Sequence, residues 1–352
     1  MLRQALRRQP GVSAAEASLV SRAVFSYFRW FGWLEKGRPL EEQIIQALEL
    51  ADAFARQPDR FLDTELMALA VPDWVAKEMK VSPAWVRSLQ LESRLWLRAR
   101  QGQGIALAKE LGHCELFGAG QSKDTLRYLG TEDLFRTPAF QAGRFEIQDL
   151  SSQAVGLICN PRAGEIWWDA CSGEGGKTLH LSDLMENKGL VWASDRAPWR
   201  LQKLKRRAAR AGIFNYRTAF WNGRAQLSTK TKFDGVLVDA PCSGIGTWQR
   251  NPHARWTTTP QDVHELSQLQ KRLVSNAAAS VKPGGKLYYA VCTLARVETD
   301  DVVTSFEKEN PEFGRLEIQN PFEKQKTSSS QLRLWPQDYH GNGMFVAGWV
   351  KE

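Results

Sequence analysis

The chain has 352 residues, of which 43% are hydrophobic, and this is enough for two or three domains with buried cores. No apolar run approaches the roughly 18 residues that a membrane-spanning helix needs, so we expect no membrane partner. A formal charge of +8 makes the protein basic and points to an acidic partner rather than a basic one.

The cysteines exclude two kinds of site. They are an odd number without close CxxC pairs, so neither a disulfide framework nor a zinc site is indicated: Cys114, Cys159, Cys171, Cys242 and Cys292. The five histidines are scattered, and we expect no metal. Unpaired cysteines indicate a reducing compartment, so we expect a cytoplasmic protein.

Residues 1–95 are predicted to form a helical accessory domain. Three segments carry apolar residues at helical spacing: Ala14–Leu34, Leu40–Arg56 and Ser82–Arg100. The Arg-rich start Met1–Arg8 lacks a Ser-rich continuation, so we expect an ordinary first helix there rather than a transit peptide. This region shows no catalytic constellation.

Residues 96–145 have a shorter, mixed pattern that is punctuated by glycines, and they predict a small α/β subdomain. Four basic residues are candidates for contacts with an RNA backbone: Arg98, Arg100, Lys109 and Lys123.

Residues 146–352 alternate apolar strand-like segments with helix-like segments. The expected elements are Ile166–Asp169, Gly176–Met185, Leu190–Ser194, Trp199–Ala211, Tyr216–Phe220, a helix over 261–281 and a strand that ends at Cys292. Strands separated by helices of about ten residues or more predict a parallel, doubly wound sheet. The segments Leu332–Trp335 and Met344–Val350 are expected to form an antiparallel hairpin that closes it.

The stretch Phe233–Gly244 runs an apolar strand directly into Asp239, a proline and Cys242. Ligands of open α/β sheets bind at the carboxyl ends of the strands, which is where these residues fall. Cys292 follows another apolar run, Lys286–Val291, and is expected at the same edge. Two thiols and one carboxylate would then share a cleft.

A glycine-rich loop, Asp169–Thr178, joins a predicted strand to a helix. A P-loop requires glycine where Cys171 stands, and a dinucleotide fingerprint requires glycine where Thr178 stands. The loop is therefore predicted to cradle a nucleoside such as S-adenosylmethionine. Asp195 ends the next strand, where an acid can accept hydrogen bonds from ribose hydroxyls. The loop and the acid alone do not distinguish a methyltransferase from a dehydrogenase.

Eleven Lys or Arg residues and no acid lie between Arg196 and Lys232, a pattern typical of nucleic-acid binding, although a solvated helix face is the alternative. The loop after Cys242 interleaves aromatic and basic residues: Trp248, Arg250, Arg255 and Trp256. Such a loop can stack on unpaired bases or simply pack onto the domain, and the sequence leaves both open.

Thiols at the binding edge of a sheet can be activated by helix N-termini and basic groups. A thiolate beside a methyl donor and a basic groove suits methylation of cytosine, whose carbon 5 becomes nucleophilic when a thiolate adds to carbon 6.

Three segments resemble the signature motifs of the RNA cytosine-5 methyltransferases of the Nol/Nop/Sun type, which include bacterial ribosomal RNA enzymes: Asp169–Thr178, Asp239–Gly244 and Tyr289–Thr293. Further matches are Gln148–Asp149, Ser151–Gln153, Arg250–Pro252 and Val281–Gly285, so the resemblance covers residues 143–350. It implies a Rossmann-like S-adenosylmethionine-dependent methyltransferase sheet.

The resemblance also implies residue roles. Cys292 is expected to attack carbon 6, Cys242 to assist the later elimination, and Asp239 to hydrogen-bond the cytosine ring. The residues expected to hold S-adenosylmethionine are Cys171, Ser172, Gly173, Glu174, Gly175, Gly176, Lys177, Asp195, Asn222 and Asp239. The target base is expected to be flipped out or single-stranded.

The chain departs from the family pattern at three places. Gly173-Glu174 stands where Ala-Pro is usual and brings a negative charge toward the cofactor. Asn222 replaces an acid, and Arg207 replaces a common asparagine.

The leading hypothesis is an RNA methyltransferase that makes 5-methylcytosine, in ribosomal RNA rather than tRNA, and acts as a monomer. A DNA cytosine-5 methyltransferase would take its nucleophile from Pro241-Cys242 and leave Cys292 without a role. A catalytically silent RNA-binding assembly factor is a second alternative. A hydride-transferring enzyme comes last because its glycine spacing is absent.

Overall fold

The computed structural model describes Ala5 and residues 11–118, 122–224, 227, 229–323 and 328–352. Apart from Ala5, the first helix expected over Met1–Arg8 lies outside these residues. The chain falls into two compact units. The first comprises the described part of Met1–Ser93 with Thr247–Pro260, and the second the described parts of Arg94–Gly246 and Gln261–Glu352. The division into three domains stays a prediction.

The α-helices in chain order are α1 Ala14–Arg29, α2 Leu40–Arg56, α3 Asp63–Leu69, α4 Val75–Glu78, α5 Pro83–Gln90, α6 Gly104–Leu111, α7 Pro138–Gln141, α8 Leu150–Cys159, α9 Gly176–Leu184, α10 Pro198–Arg210, α11 Ala254–Thr257, α12 Pro260–Ala278, α13 Asp300–Glu309 and α14 Pro336–Tyr339. The strands are β1 Leu95–Ala99, β2 Cys114–Phe117, β3 Thr125–Tyr128, β4 Phe145–Ile147, β5 Ile166–Asp169, β6 Leu190–Asp195, β7 Tyr216–Phe220, β8 Phe233–Asp239, β9 Val281–Val291, β10 Phe313–Arg315, β11 Ile318–Gln319, β12 Ser328–Ser329, β13 Gln331–Leu334 and β14 Met344–Lys351.

The first unit is helical, and the loop that follows the Asp239–Gly244 motif belongs to its core. Trp248 is fully buried, and Arg255 is also fully buried, with its guanidinium donating to main-chain carbonyls that include that of Ala70. The indole of Trp256 donates to the carbonyl of Phe28 at 2.7 Å. Three of the four aromatic and basic residues of this loop therefore pack into the unit. Only Arg250 is exposed.

The helix expected over Ser82–Arg100 is wrong in its second half. Helix α5 begins after Ser82, whose hydroxyl accepts from the amide of Trp85, and it ends at Gln90. Strand β1 follows, and it pairs antiparallel with β3 on one edge and β4 on the other. These two ladders pair the backbone N–H and C=O groups of β1 with other strands, whereas a helix would have paired them within the segment. The resulting sheet has the order β2-β3-β1-β4.

Two of the basic residues expected to meet RNA are engaged inside the second unit. Arg98 is 3% exposed, and its Nη1 lies 2.9 Å from Oδ2 of Asp183. Arg100 Nε lies 3.0 Å from the other oxygen of the same carboxylate. A buried guanidinium needs such a partner, and it is not free to bind phosphate. Lys109 and Lys123 are exposed.

The large sheet has the order β10-β14-β9-β8-β5-β6-β7, with β13 also paired to β14. Strands β5 to β9 are mutually parallel, whereas β14 is antiparallel to β9. The predicted parallel sheet and the closing hairpin β13–β14 are confirmed. Because β5 lies between β6 and β8, the order reverses beside β5, and crevices for ligands open at such points.

Apolar side chains fill both faces of this sheet. Trp168 and Leu287 are fully buried on one face, and Trp167 and Leu237 are buried on the other. Among the residues that the structure describes, no helix is long and apolar enough to cross a membrane.

Candidate active site

Three strand ends bring the predicted residues together. In the parallel ladder of β8 and β9, Asp239 lies beside Ala290, so Cys242 and Cys292 follow within three residues of paired positions. Strand β5 ends at Asp169 on the other side of β8 and leads into the glycine-rich loop. The predicted edge thus holds both thiols, the carboxylate and the loop.

The two thiols are in direct contact, with their Sγ atoms 3.3 Å apart. The hydrogen bond with Cys292 raises the pKa of Cys242 well above its ordinary value, and burial and the negative charges nearby raise it further. Cys242 therefore keeps its proton and can donate it toward the sulfur of Cys292.

Lys177 and Asp239 form a close ion pair, with Nζ 2.6 Å from Oδ2. Burial alone would lower the pKa of Lys177, but the charges of Asp239, Cys292 and Asp169 together outweigh it and raise that pKa. The ammonium thus stays charged next to the thiol pair. Its positive charge favours the anionic form of acidic groups around it.

Glu298 joins the two thiol loops, and the sequence interpretation missed it. Its Oε1 accepts the backbone N–H of Ser243 at 2.9 Å, and its Oε2 accepts the hydroxyls of Ser243 and Thr293. These two residues directly follow Cys242 and Cys292. Glu298 is fully buried, and burial raises its pKa although the hydrogen bonds oppose this. No spacing rule marks this acid, because Glu298 resembles the other acids of its segment.

The glycine loop has the geometry of a ligand cradle. Gly173 adopts φ +53° and donates its N–H to Oδ2 of Asp195 at 2.9 Å, while Gly175 adopts φ +88° at the start of α9. A Cβ added to Gly173 or Gly176 would meet no atom of the described chain within 4 Å. The backbone is therefore open to a close approach at the N-terminus of α9, and the loop fits a nucleoside.

Asp195 and Ser172 fix this loop against the end of β6. Asp195 is 5% exposed, and its second oxygen accepts the N–H of Ala197 at 2.8 Å. The hydroxyl of Ser172 donates to the carbonyl of Ser194 at 3.0 Å. The predicted ribose acid is thus held rigidly beside the loop.

Cys171 differs from the two thiols of the pair. Burial raises its pKa well above the ordinary value, and the carboxylates of Asp169, Asp239 and Asp195 raise it further. It therefore stays a neutral thiol, as a cofactor-lining residue can be.

The charge that Glu174 brings to the loop is paired. Its carboxylate accepts from Nζ of Lys203 at 2.6 Å, and its main-chain carbonyl accepts from Nη1 of Arg207 at 2.9 Å. Asn222 is exposed and lies on the wall of a cavity of about 930 Å³ that Arg196 and α12 also line. Asn222 Oδ1 accepts the N–H of Arg224 at 3.1 Å.

Within the described ranges, no group of three or more His, Cys, Asp or Glu side chains is arranged to hold a metal ion.

Comparisons with known proteins agree with one another. The probable ribosomal RNA small subunit methyltransferase B of Synechocystis is 36% identical over 232 residues, which are 63% of this chain and 51% of that protein. The chain spans about half the length of relatives such as this one.

Two crystal structures share the fold. PH0851 superposes with a TM-score of 0.81 at 23% identity and covers 99% of this chain and 93% of its own. NSun6 from Pyrococcus horikoshii, solved with SFG, superposes with a TM-score of 0.66 at 18% identity and covers 76% of this chain and 93% of its own.

The sequence profile described as 16S rRNA methyltransferase RsmB/F matches residues 156–350, more than half of the chain and all three strand ends that build the site. On this match, with the fold and the relatives in agreement, the chain belongs to the RsmB/F methyltransferase family.

Proposed function

We propose that this protein methylates carbon 5 of a cytosine in the RNA of the small ribosomal subunit, with S-adenosylmethionine as the methyl donor. The observation that carries the proposal is the thiol pair, 3.3 Å apart, beside the Lys177–Asp239 ion pair. Two thiols in contact at a binding edge have no use in hydride transfer. The name of the Synechocystis relative supports ribosomal RNA as the substrate, and SFG, an S-adenosylmethionine analogue, supports the cofactor.

The residues present would hold the cofactor along the loop Cys171–Lys177, with Asp195 at the ribose, Asn222 at the adenine and Asp239 near the methyl group. S-adenosylmethionine supplies, when bound, an electrophilic methyl group on sulfur. The open space at Gly173 and Gly176 is the feature that fits it.

Cys292 acts first in the proposed mechanism. Its thiolate attacks carbon 6 of the cytosine and forms an S–C bond, while the electron pair of the C5–C6 double bond moves toward carbon 5. In this proposal Asp239 hydrogen-bonds N3 and the exocyclic N4 of the cytosine, and Lys177 keeps that carboxylate oriented through the 2.6 Å contact. The electron pair on carbon 5 would then form the bond to the methyl carbon, while the bond from that carbon to the donor sulfur breaks and leaves its electrons on sulfur.

Cys242 acts in the release step. Once Cys292 is a thioether, its hydrogen bond and its charge no longer raise the pKa of Cys242, and only burial and Glu298 still do so. Cys242 can then lose its proton to solvent and take the proton from carbon 5. The electrons of that C–H bond restore the C5–C6 double bond and expel the Cys292 thiolate, which frees the methylated base.

The face around α10 is the proposed path of the RNA. Trp199 is 55% exposed, and the side chains of Arg200 and Lys203 lie over its ring at 5.4 and 4.8 Å. Phe220, at 61% exposure, ends β7 beside Asp195. Exposed rings among cations can stack on unpaired bases, and a base must leave its helix to reach a thiol pair.

The test is a denaturing gel of Cys242→Ala and Cys292→Ala proteins incubated with S-adenosylmethionine and cellular RNA. Cys242→Ala is expected to accumulate an RNA-linked band, because release fails, and Cys292→Ala to form none. Cys114→Ala, which changes a cysteine outside the site, is the matched control and should turn over without a band.

The alternatives give different results. A band in Cys292→Ala but not in Cys242→Ala would identify Cys242 as the nucleophile and favour the DNA-type mechanism. If wild type makes no 5-methylcytosine and neither variant traps RNA, a silent RNA-binding factor is the better reading. A monomer in the cytoplasm remains our expectation.

A further inference from the structure

The glycine loop is held from outside at two of its main-chain carbonyls. Arg207 Nη1, on α10, donates to the carbonyl of Glu174 at 2.9 Å. Gln148 Nε2, just after β4, lies 3.4 Å from the carbonyl of Gly176. The loop thus has anchors on both sides of Gly175.

Arg207 is itself fixed by a buried carboxylate. Glu146, on β4, is 5% exposed, and its Oε2 accepts from Nη2 and Nε of Arg207 at 2.8 and 3.3 Å. Arg210 contacts the other oxygen of the same carboxylate. A guanidinium bound through two nitrogens to a buried carboxylate has a defined orientation, so its third nitrogen is aimed at the loop.

There is a physical reason for the glycine loop of this chain to need contacts that hold it rigid. The chain carries Gly173-Glu174 where the resembling proteins usually carry Ala-Pro, and glycine leaves a loop more conformational freedom to lose than alanine or proline does. The Lys203–Glu174 ion pair is too exposed to compensate, since both side chains are more than 40% exposed. The carbonyl contact from Arg207 is more buried and does not depend on a flexible lysine.

We infer that Arg207, oriented by Glu146, is a positioning residue that holds the Gly173–Gly176 loop in its cofactor-binding conformation and so replaces the stiffness of the usual Ala-Pro pair. The inference rests on the proposed binding of S-adenosylmethionine. Arg207 acts through the Glu174 carbonyl rather than by touching the substrate.

The experiment compares Arg207→Asn with Arg206→Asn by calorimetric titration of the RNA-free protein with S-adenosylmethionine. Arg206 directly precedes Arg207 on α10, and it is exposed. Arg207→Asn is expected to raise the Kd about tenfold, as loss of a hydrogen bond from a charged group does. Arg206→Asn should leave the Kd unchanged, and Arg207→Lys should give a partial loss.

Two further measurements test the role of Arg207 separately from the proposed function. Hydrogen exchange at the amides of Gly173–Lys177, without cofactor, should be faster in Arg207→Asn than in Arg206→Asn. As a single variant, Glu146→Gln should raise the Kd. Combined with Arg207→Asn it should add little, because both substitutions act on one contact. The melting temperatures check that each variant is folded.

Equal Kd values for the two asparagine variants, or additive effects of Glu146→Gln and Arg207→Asn, would overturn the inference while leaving the proposed function standing. Absence of binding by the wild type would overturn both. Faster exchange without a change in Kd would show that the contact orders the loop for something other than the cofactor, and would also overturn it.

Discussion

Asp169 is a buried carboxyl group at the point where β5 enters the glycine loop. It is fully buried, its Oδ2 accepts from the hydroxyl of Thr178 at 2.6 Å, and its Oδ1 has no hydrogen-bond partner in the described part of the chain. Burial raises its pKa to about 7. The folded protein therefore holds a proton that the unfolded chain releases near pH 4.

We predict that stability falls as pH rises from about 4 to 7 because of this group. In that window the folded state binds more protons at Asp169 than the unfolded state does, so rising pH favours unfolding by up to about 4 kcal/mol. Asp169→Asn should lose this part of the pH dependence. Urea unfolding at pH 5 and pH 8 measures it, with Asp59→Asn, which changes an exposed acid, as control. Equal pH dependence in all three proteins would contradict the prediction.

Glu298 supports both thiols through the residues that follow them. Each carboxylate oxygen of Glu298 accepts from two donors, so Glu298→Gln sets a donor amide against two donor groups. We therefore expect a loss of about 2–4 kcal/mol in the free energy of unfolding. When Glu298→Gln is combined with Cys242→Ala, the RNA-linked band should also be lost. Glu35→Gln, which breaks an exposed pair with Arg38, is the matched control and should cost less than about 1 kcal/mol. Similar losses in both variants would argue against a special role for Glu298.

At the scale of the element, the start of α9 separates a glycine needed for folding from one needed for binding. A Cβ on Gly175 would lie 2.6 Å from Cγ of Leu204 at φ +88°, whereas a Cβ on Gly176 would meet no described atom. The two neighbouring glycines thus have different reasons to lack a side chain.

Gly175→Ala is expected to lose about 2–4 kcal/mol of stability through strain and overpacking. Gly176→Ala should keep or slightly raise the stability, since alanine favours a helix, yet weaken binding of S-adenosylmethionine by filling the cradle. Thermal unfolding and calorimetric titration test the pair. Tight binding by Gly176→Ala would place the cofactor elsewhere.

The sequence predicts the elements of the large sheet well because each is a local signal. Strands β5, β6 and β8 are apolar runs next to glycine or acid, and their bounds can be read from those residues alone. The sequence predicts a helix over Leu95–Ala99 because its residues have good helix propensity, and only pairing with β3 and β4, distant in sequence, makes it a strand.

The same distinction applies to the site. Cys242, Cys292 and Asp239 stand in motifs that the sequence shows directly, although their roles stay predictions. Glu298 and Arg207 act through partners that lie 55 and 33 residues away, Ser243 and Glu174. No local pattern records such a contact, so only the fold reveals it.

At the scale of the molecule, positive charge is concentrated at the β7 edge of the sheet. Helix α10 carries exposed Lys205 and Arg206, while Lys308 and Lys351 lie on elements near the opposite edge. Contacts of cations with phosphates release counterions, so RNA affinity is expected to fall as salt rises.

We predict that the double variant Lys205→Gln, Arg206→Gln lowers the slope of log K against log salt by about 1.4, at roughly 0.7 per phosphate contact of single-stranded RNA. Lys308→Gln, Lys351→Gln carries the same change of charge and should leave the slope near the wild-type value. Filter binding at several salt concentrations measures it. Equal slopes in both double variants would show that the RNA does not follow α10.

The chain leaves the second unit at Gly246, directly after the Asp239–Gly244 motif, and returns to it at Gln261. The segment in between gives the first unit a buried tryptophan and the buried guanidinium of Arg255. The first unit is therefore built from two separate segments of the chain, and a single cleavage of the chain cannot separate the two units. A fragment that began at Arg94 would keep Trp248 and Arg255 without the interior that receives them, so a recombinant or gene-fusion exchange of the helical unit must carry Thr247–Pro260 with it.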